Sequence, residues 1–276
     1  MRLVREVMSS ELQWVRKDGW VQGAAALMAQ HRVGSLLVSD DDGTPAGILT
    51  ETDLVRRVIA ADRNPGAMPV HEAMTPLLVT IDEEASANAA GELMAERAIR
   101  HLAVTREGRV CGLLSVRDLL PVVDFLPVAV ERMMTRLPVI VTIDETVRNA
   151  AALMTHSSVS GLLVAGRRMA ARALTFHGFA RRDIAGIVTG ADLVRKVVAM
   201  DRYPYVTTVG EVMGMPLETI DAGESVNTAL AIMARAGVRH LAVTSGEEIT
   251  GLLSVEDAID PAWLEVAGWP AGRGRR

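Results

Sequence analysis

The sequence predicts an α/β fold of the α+β type, in which a unit of strand, helix, strand, strand and helix recurs four times. Three observations predict it. A seven-residue pattern (Gly, two aliphatics, Thr or Ser, two variable positions, Asp) stands at 47–53 as GILTETD, at 112–118 as GLLSVRD, at 186–192 as GIVTGAD and at 251–257 as GLLSVED. A longer repeat has a period of 139: TETDLVRRVIAADRNP at 50–65 matches TGADLVRKVVAMDRYP at 189–204 at ten of sixteen positions, and RHLAVT and GLLSV recur at the same offset. Between the patterns, apolar spacing alternates between the three- and four-residue steps of an amphipathic helix and short continuous runs that suit buried strands.

Each repeat opens on V-x-x-x-M: VREVM at 4–8, VHEAM at 70–74, VERMM at 130–134 and VGEVM at 209–213. A short run follows, and then a helix carrying AAALM (24–28), AGELM (90–94), AALM (151–154) or ALAIM (229–233). The Met stripe reads as core, because a flexible thioether fills gaps between aliphatic side chains. An inner strand comes next, SLLV (35–38), HLAV (101–104), GLLV (161–164) or HLAV (240–243). A turn leads into the strand that ends in the seven-residue pattern, and a second helix starts there. In the first repeat it runs DLVRRVIAAD until Asn64-Pro65 stops it. A three-stranded sheet with two helices on one face cannot bury both faces within about 60 residues, so the repeats are expected to pair.

Composition narrows the function. The chain has 276 residues, 49% hydrophobic but only 3% aromatic, so Val, Leu, Ile, Ala and Met build the core. A net charge of −5 argues against nucleic acid as the main partner. The single cysteine, Cys111, reads as a small buried hydrophobe. No apolar run reaches the roughly 18 residues of a membrane span, and MRLVREVMSS has no signal-peptide core, so the expectation is a cytoplasmic protein without membrane contact. His177 has no second ligand at metal spacing. No nucleophile elbow, zinc-binding helix or phosphate-loop motif occurs, and the acids stand singly at helix starts, so no enzyme is expected.

The strand-to-helix turn admits two readings. Thr or Ser followed three positions later by Asp is a helix cap, with an acid well placed for the helix dipole. The same geometry suits a nucleoside phosphate. A helix start offers free N–H groups and a hydroxyl to phosphate, and a carboxylate one turn in can accept both hydroxyls of a ribose. The leading Gly leaves room for a close ligand.

At these residues the chain resembles the CBS domains, named for the regulatory region of cystathionine β-synthase, two of which in tandem form a Bateman module. The resemblance runs from about Val4 to about Asp260. It implies four CBS units in two modules, 1–126 (units about 1–62 and 66–126) and 127–265 (units about 127–201 and 205–262), with a flexible tail at 266–276. It also implies a regulatory ligand, an adenine nucleotide (AMP, ADP or ATP) or S-adenosylmethionine, in clefts between paired units. Position by position, Asp53, Asp118, Asp192 and Asp257 would hold ribose hydroxyls. Thr50, Ser115, Thr189 and Ser254 would contact phosphate. Arg100-His101 and Arg239-His240 would reach phosphates or, read without a ligand, form the polar end of a loop. The resemblance further implies a disc of four units, closed within one chain or between two chains as a symmetric homodimer.

Two departures stand out. Relatives carry a Thr in the strand after the opening motif, matched by VTID at 79–82, VTID at 141–144 and ETID at 218–221, whereas the first repeat has Trp14 there, followed by Arg16-Lys17. The third repeat inserts AGRRMAARALTFHGFARRD at 165–183, with five arginines (Arg167, Arg168, Arg172, Arg181, Arg182), read as a solvated hairpin or a partner patch. The expected function is a stand-alone sensor that binds an adenosine ligand and signals to an effector protein by changing conformation. The alternative is a ligand-free interaction or assembly domain.

Overall fold

The computed structural model describes residues 2–119, 128–167 and 179–257. Arg168, Arg172 and His177 of the insert, the tail 266–276 and the junction at 126/127 lie outside them. The protein is a mixed α/β fold of several small sheets and helices, as expected.

The first repeat comprises β1 (Trp14–Arg16), α1 (Val21–His31), β2 (Ser35–Ser39), β3 (Pro45–Thr50) and α2 (Glu51–Leu54), the last running on through a π-helical turn at Val55–Ile59. The short α3 (Val70–Ala73) and β4 (Thr75–Pro76) lead to the second repeat, β5 (Thr80–Asp82), α4 (Ala87–Glu96), β6 (His101–Arg106), β7 (Arg109–Ser115) and α5 (Val116–Leu119). The third has β8 (Ile140–Thr142), α6 (Val147–Ser157), β9 (Gly161–Ala165), β10 (Phe179–Ala180), β11 (Ile184–Thr189) and α7 (Gly190–Leu193), again followed by a π-helical turn at Val194–Val198. After α8 (Val209–Val212), the fourth has β12 (Thr219–Asp221), α9 (Val226–Ala236), β13 (His240–Ser245) and β14 (Glu248–Ser254).

One topology recurs. The first strand runs parallel to the inner strand, and the inner strand forms an antiparallel hairpin with the strand that ends the pattern. The parallel crossover is the Met-bearing helix. Ser86, Thr146 and Ser225 cap three of these helices through their hydroxyls, each accepting an N–H at 3.1–3.2 Å. In α1 the capping position is Trp20, which makes no such bond. Met28, Met94, Met154 and Met233 are all buried, as the stripe predicts, each stabilising by about 1.5–3 kcal/mol through burial.

The chain divides into two compact units, each with its own core. Unit 1 holds 1–12, 79–137 and 218–276, and unit 2 holds 13–78 and 138–217. Unit 1 thus combines the second and fourth repeats, unit 2 the first and third. In unit 2, α1 packs on the π-turn of the third repeat and α6 on that of the first. These contacts bury Met28, Leu54, Val58, Met154, Val194 and Val197 together.

The opening motifs do not pack on their own repeats. Met8 lies over Gly112 of the second repeat, and Met134 over Gly251 of the fourth. Met74 lies beside Gly47 of the first, and Met213 beside Gly186 of the third. A Cβ on Gly112 or Gly251 would collide with the methionine sulfur, and one on Gly47 or Gly186 with the carbonyl oxygen of Thr75 or Gly214. The pattern's glycine therefore makes room for the neighbouring repeat's opening segment. The expectation that it clears space for a ligand is corrected: protein fills that space.

Strand pairing also corrects the third repeat's alignment. The carbonyls of Gln13, Val79, Val139 and Glu218 make equivalent bonds to the inner strands. The next residues, Trp14, Thr80, Ile140 and Thr219, then occupy one position. Thr142 of VTID sits two residues further on. Register here follows the cap at Thr146, seven residues after Val139 just as Ser86 follows Val79, and not the tetrapeptide.

Candidate functional site

All four patterns place Thr or Ser at the end of a strand with Asp three residues on, and in the first three repeats that Asp lies in the first turn of a helix. In the first repeat the N–H and Oγ1 of Thr50 donate to Asp53 Oδ2 at 3.0 and 2.6 Å, and the Asp53 N–H donates back to Oγ1 at 3.2 Å. Thr189 and Asp192 repeat this at 3.0, 2.7 and 3.3 Å. The N–H and Oγ of Ser115 donate to Asp118 Oδ2 at 2.6 and 2.7 Å. The Ser254 N–H donates to Asp257 Oδ2 at 2.6 Å, and the Asp257 N–H donates to Ser254 Oγ at 3.2 Å. The cap is thus formed, and it uses one carboxylate oxygen. The other oxygen, Oδ1, is where a ligand hydroxyl could bind.

In unit 2 protein groups reach Oδ1. Thr75 Oγ1 donates to Asp53 Oδ1 at 3.3 Å, and Arg57 Nε lies 3.7 Å from it. Lys196 Nζ is 2.8 Å from Asp192 Oδ1. Both cations also donate to the carbonyls that end the short helices, Arg57 to Ala73 at 2.9 Å and Lys196 to Val212 at 2.6 Å. The residues four after Asp118 and Asp257 are Val122 and Pro261, which carry no charge.

The hairpin brings the predicted basic pairs to the same end. His101 pairs with Ser115 across β6 and β7, and His240 with Ser254 across β13 and β14. The Val116 N–H donates to the Arg100 carbonyl at 3.0 Å and the Val255 N–H to that of Arg239 at 2.9 Å. Arg100, His101, Ser115 and Asp118 therefore converge in the second repeat, and Arg239, His240, Ser254 and Asp257 in the fourth. The two ends also meet: Arg100 Nη1 lies 3.2 Å from Glu256 Oε1. The imidazole of His101 is pushed down to about 3, first by burial and then by the guanidiniums of Arg100, Arg117 and Arg239, with Glu256 opposing. Three arginines from two repeats thus act on one histidine.

Unit 2 has Gly34-Ser35 and Ser160-Gly161 where unit 1 has its basic pairs. Its two turns meet through Glu51, which is buried, and Arg195 at 3.5 Å. Thr50 and Thr189 are opposite small residues, so sequence reasoning placed these hydroxyls and carboxylates correctly on the turns but with no cation pair beside them.

Sequence reasoning missed Glu51, Arg117, Arg195 and Glu256. Three of these occupy the pattern's variable positions, ET, VR, GA and VE. Their signal was a change of charge between repeats at a fixed offset. In the insert, Arg167 pairs with Asp144 at 3.0 Å, and Arg181 lines an open cavity of about 540 Å³ with Ile184, Met215 and Leu217. Burial pushes the Cys111 thiol up, away from reactivity at neutral pH. No helix among the described residues is long and apolar enough to cross a membrane.

Comparison with known proteins agrees with this architecture. The family model of the CBS domain matches residues 4–60, 70–124 and 209–261. An uncharacterized protein of Methanopyrus kandleri is 30% identical over 110 residues, which is 40% of this chain and 56% of that protein. A CBS domain-containing protein of Arabidopsis thaliana is 26% identical over 303 residues, 99% of this chain and 56% of its own length. The chain therefore spans little more than half the length of these two relatives. A crystal structure from Methanocaldococcus jannaschii, of a protein proposed as an archaeal homologue of γ-AMPK, aligns with a TM-score of 0.72 at 18% identity, covering 94% of this chain and 99% of that one. At that identity the likeness is one of fold. With three matched segments over more than half its length, the chain belongs to the CBS-domain family.

Proposed function

We propose that the protein is a regulatory module that binds an adenosine ligand (AMP, ADP or ATP) at its strand–helix turns and passes the signal to an effector protein by a change of conformation. One observation supports this reading most: in unit 1 a hydroxyl, a carboxylate and an Arg-His pair converge at one end of each hairpin. Such a set can hold phosphate and ribose together. The third repeat, outside the matched segments, is proposed as a fourth CBS motif because it has the same strand order and the same cap. Consecutive repeats, 1–126 and 127–265, are proposed as the tandem modules, tied together by their exchanged opening segments. No role as an enzyme, no membrane and no nucleic acid enters the reading; location in the cytoplasm and assembly as a homodimer are parts of it.

A ligand shifts a conformational equilibrium only if it binds one state better. The test is thermal melting of the full chain with AMP, ADP, ATP, S-adenosylmethionine and GTP. A ligand bound only by the folded state at a hundred times its dissociation constant adds about 2.7 kcal/mol and raises Tm by a few degrees. A shift with an adenine nucleotide and none with GTP is expected. A shift with S-adenosylmethionine alone reassigns the ligand. Five flat results overturn the sensor and favour the interaction domain, in which the turns are caps only.

A further inference from the structure

The residue before the pattern's aspartate is Thr52, Arg117, Ala191 or Glu256 in the four repeats. Only in the fourth is it an acid, and that acid reaches into the basic end of unit 1. Glu256 Oε1 is 3.2 Å from Arg100 Nη1, and the side chains are 26% and 34% exposed, so the pair is open to solvent. Arg100, Arg117 and Arg239 act on the adjacent His101, and Glu256 opposes them.

We propose that Glu256 is a built-in competitor for the phosphate end of the ligand, and so sets how strongly unit 1 discriminates a nucleotide from its nucleoside. The proposal rests on the nucleotide reading above. A carboxylate and a phosphate use the same fork of guanidinium N–H donors. A phosphate that binds Arg100 competes with Glu256 for Nη1, and it then stays close to that charge. Both costs weaken binding of an anion. Neither applies to adenosine, which has no phosphate. At the related position of the second repeat, Arg117 attracts the same anion. One half of the basic end therefore favours phosphate, and the other restrains it. This restraint lets affinity fall within a range where a changing nucleotide concentration is sensed, without removing a phosphate-binding arginine.

Calorimetric titration of the full chain with adenosine and with AMP tests this, using wild type, Glu256→Gln and Glu247→Gln. The glutamine keeps the shape and a hydrogen bond to Arg100 but removes the charge. Glu247 is an exposed acid of the same repeat, and its variant controls for net charge. Glu256→Gln is expected to tighten AMP binding about tenfold and leave adenosine unchanged, as loss of one unit charge a few ångströms from the phosphate predicts. Glu247→Gln is expected to change AMP binding less than about twofold, since solvent screens it. Glu256→Thr, which installs the residue type of position 52, is expected to act like Glu256→Gln through a different side chain. AMP binding that is unchanged in both Glu256 variants, or an equal gain for adenosine, overturns the proposal while the nucleotide reading stands. Absence of AMP and adenosine binding in wild type and both variants overturns the two together.

Discussion

Unit 1 and unit 2 share a topology and a cap but differ in the polar side chains around it. Where unit 1 has Thr80 and Thr219 in the first strand, unit 2 has Trp14 and Ile140. Where unit 1 has Arg-His before the inner strand, unit 2 has Gly-Ser and Ser-Gly. The second oxygens of Asp53 and Asp192 are held by Arg57 and Lys196, and the two turns are joined by Glu51 and Arg195. In unit 2 the protein's own charges satisfy the polar groups of the turn. In unit 1 three arginines, Arg100, Arg117 and Arg239, gather beside three acids, Asp118, Asp257 and Glu256. The same backbone is thus finished once as a salt-bridged joint and once with Arg-His pairs beside the turn.

The comparison can be broken first at the glycines. Gly47→Ala in unit 2 drives a methyl group into the backbone carbonyl of Thr75, whereas Gly112→Ala in unit 1 meets the flexible end of Met8. Overpacking against backbone is expected to cost about 3 kcal/mol and against the thioether about 1 kcal/mol, read by denaturant unfolding. Equal losses would show that the two clefts are equally rigid. A smaller difference is expected at the acids. Asp53 is buried and holds both cap and cation, so Asp53→Ala should cost about 2 kcal/mol. Asp118→Ala should cost about 1 kcal/mol, the value of a cap alone, while weakening nucleotide binding. If Asp118→Ala is as destabilising as Asp53→Ala and leaves AMP binding intact, unit 1 is a joint too.

The smallest effect concerns acid. His101 has a folded value of about 3 against 6.5 in a free chain. Between these values the unfolded chain takes up a proton there and the folded chain does not, so stability falls as pH falls below about 6.5. Partial exposure screens this to a fraction of the one-proton slope of about 1.4 kcal/mol per pH unit. His101→Gln should flatten the fall in Tm between pH 7 and 5. An unchanged slope would place the imidazole in contact with water, away from the three arginines.

Much of this was legible in the sequence. Periodicity located the strands and the Met-bearing helices, because apolar burial dictates both spacings. The turn was legible because Thr or Ser with Asp three residues on can satisfy each other wherever a strand feeds a helix. Which repeats pack together was not legible. Helix faces built from the same Val, Ala and Met fit any copy of themselves, so pattern shows likeness and not partnership. The tetrapeptide VTID misplaced the third repeat by two residues, since pairing obeys the cap and the core rather than a word. The variable positions hid Glu51, Arg117 and Glu256 because a pattern records what the copies share, and these residues act by differing.

The exchanged opening segments have a consequence for ancestry and for engineering. A single repeat cannot plug the cleft over its own glycine, since Met8 serves Gly112 and Met74 serves Gly47. The shortest stretch that supplies all its own plugs is a consecutive pair. Duplication of such a pair yields a working chain at once, whereas gain or loss of one copy leaves a groove open and a methionine without a seat. Grafts and deletions in this protein should therefore move residues in blocks of two repeats.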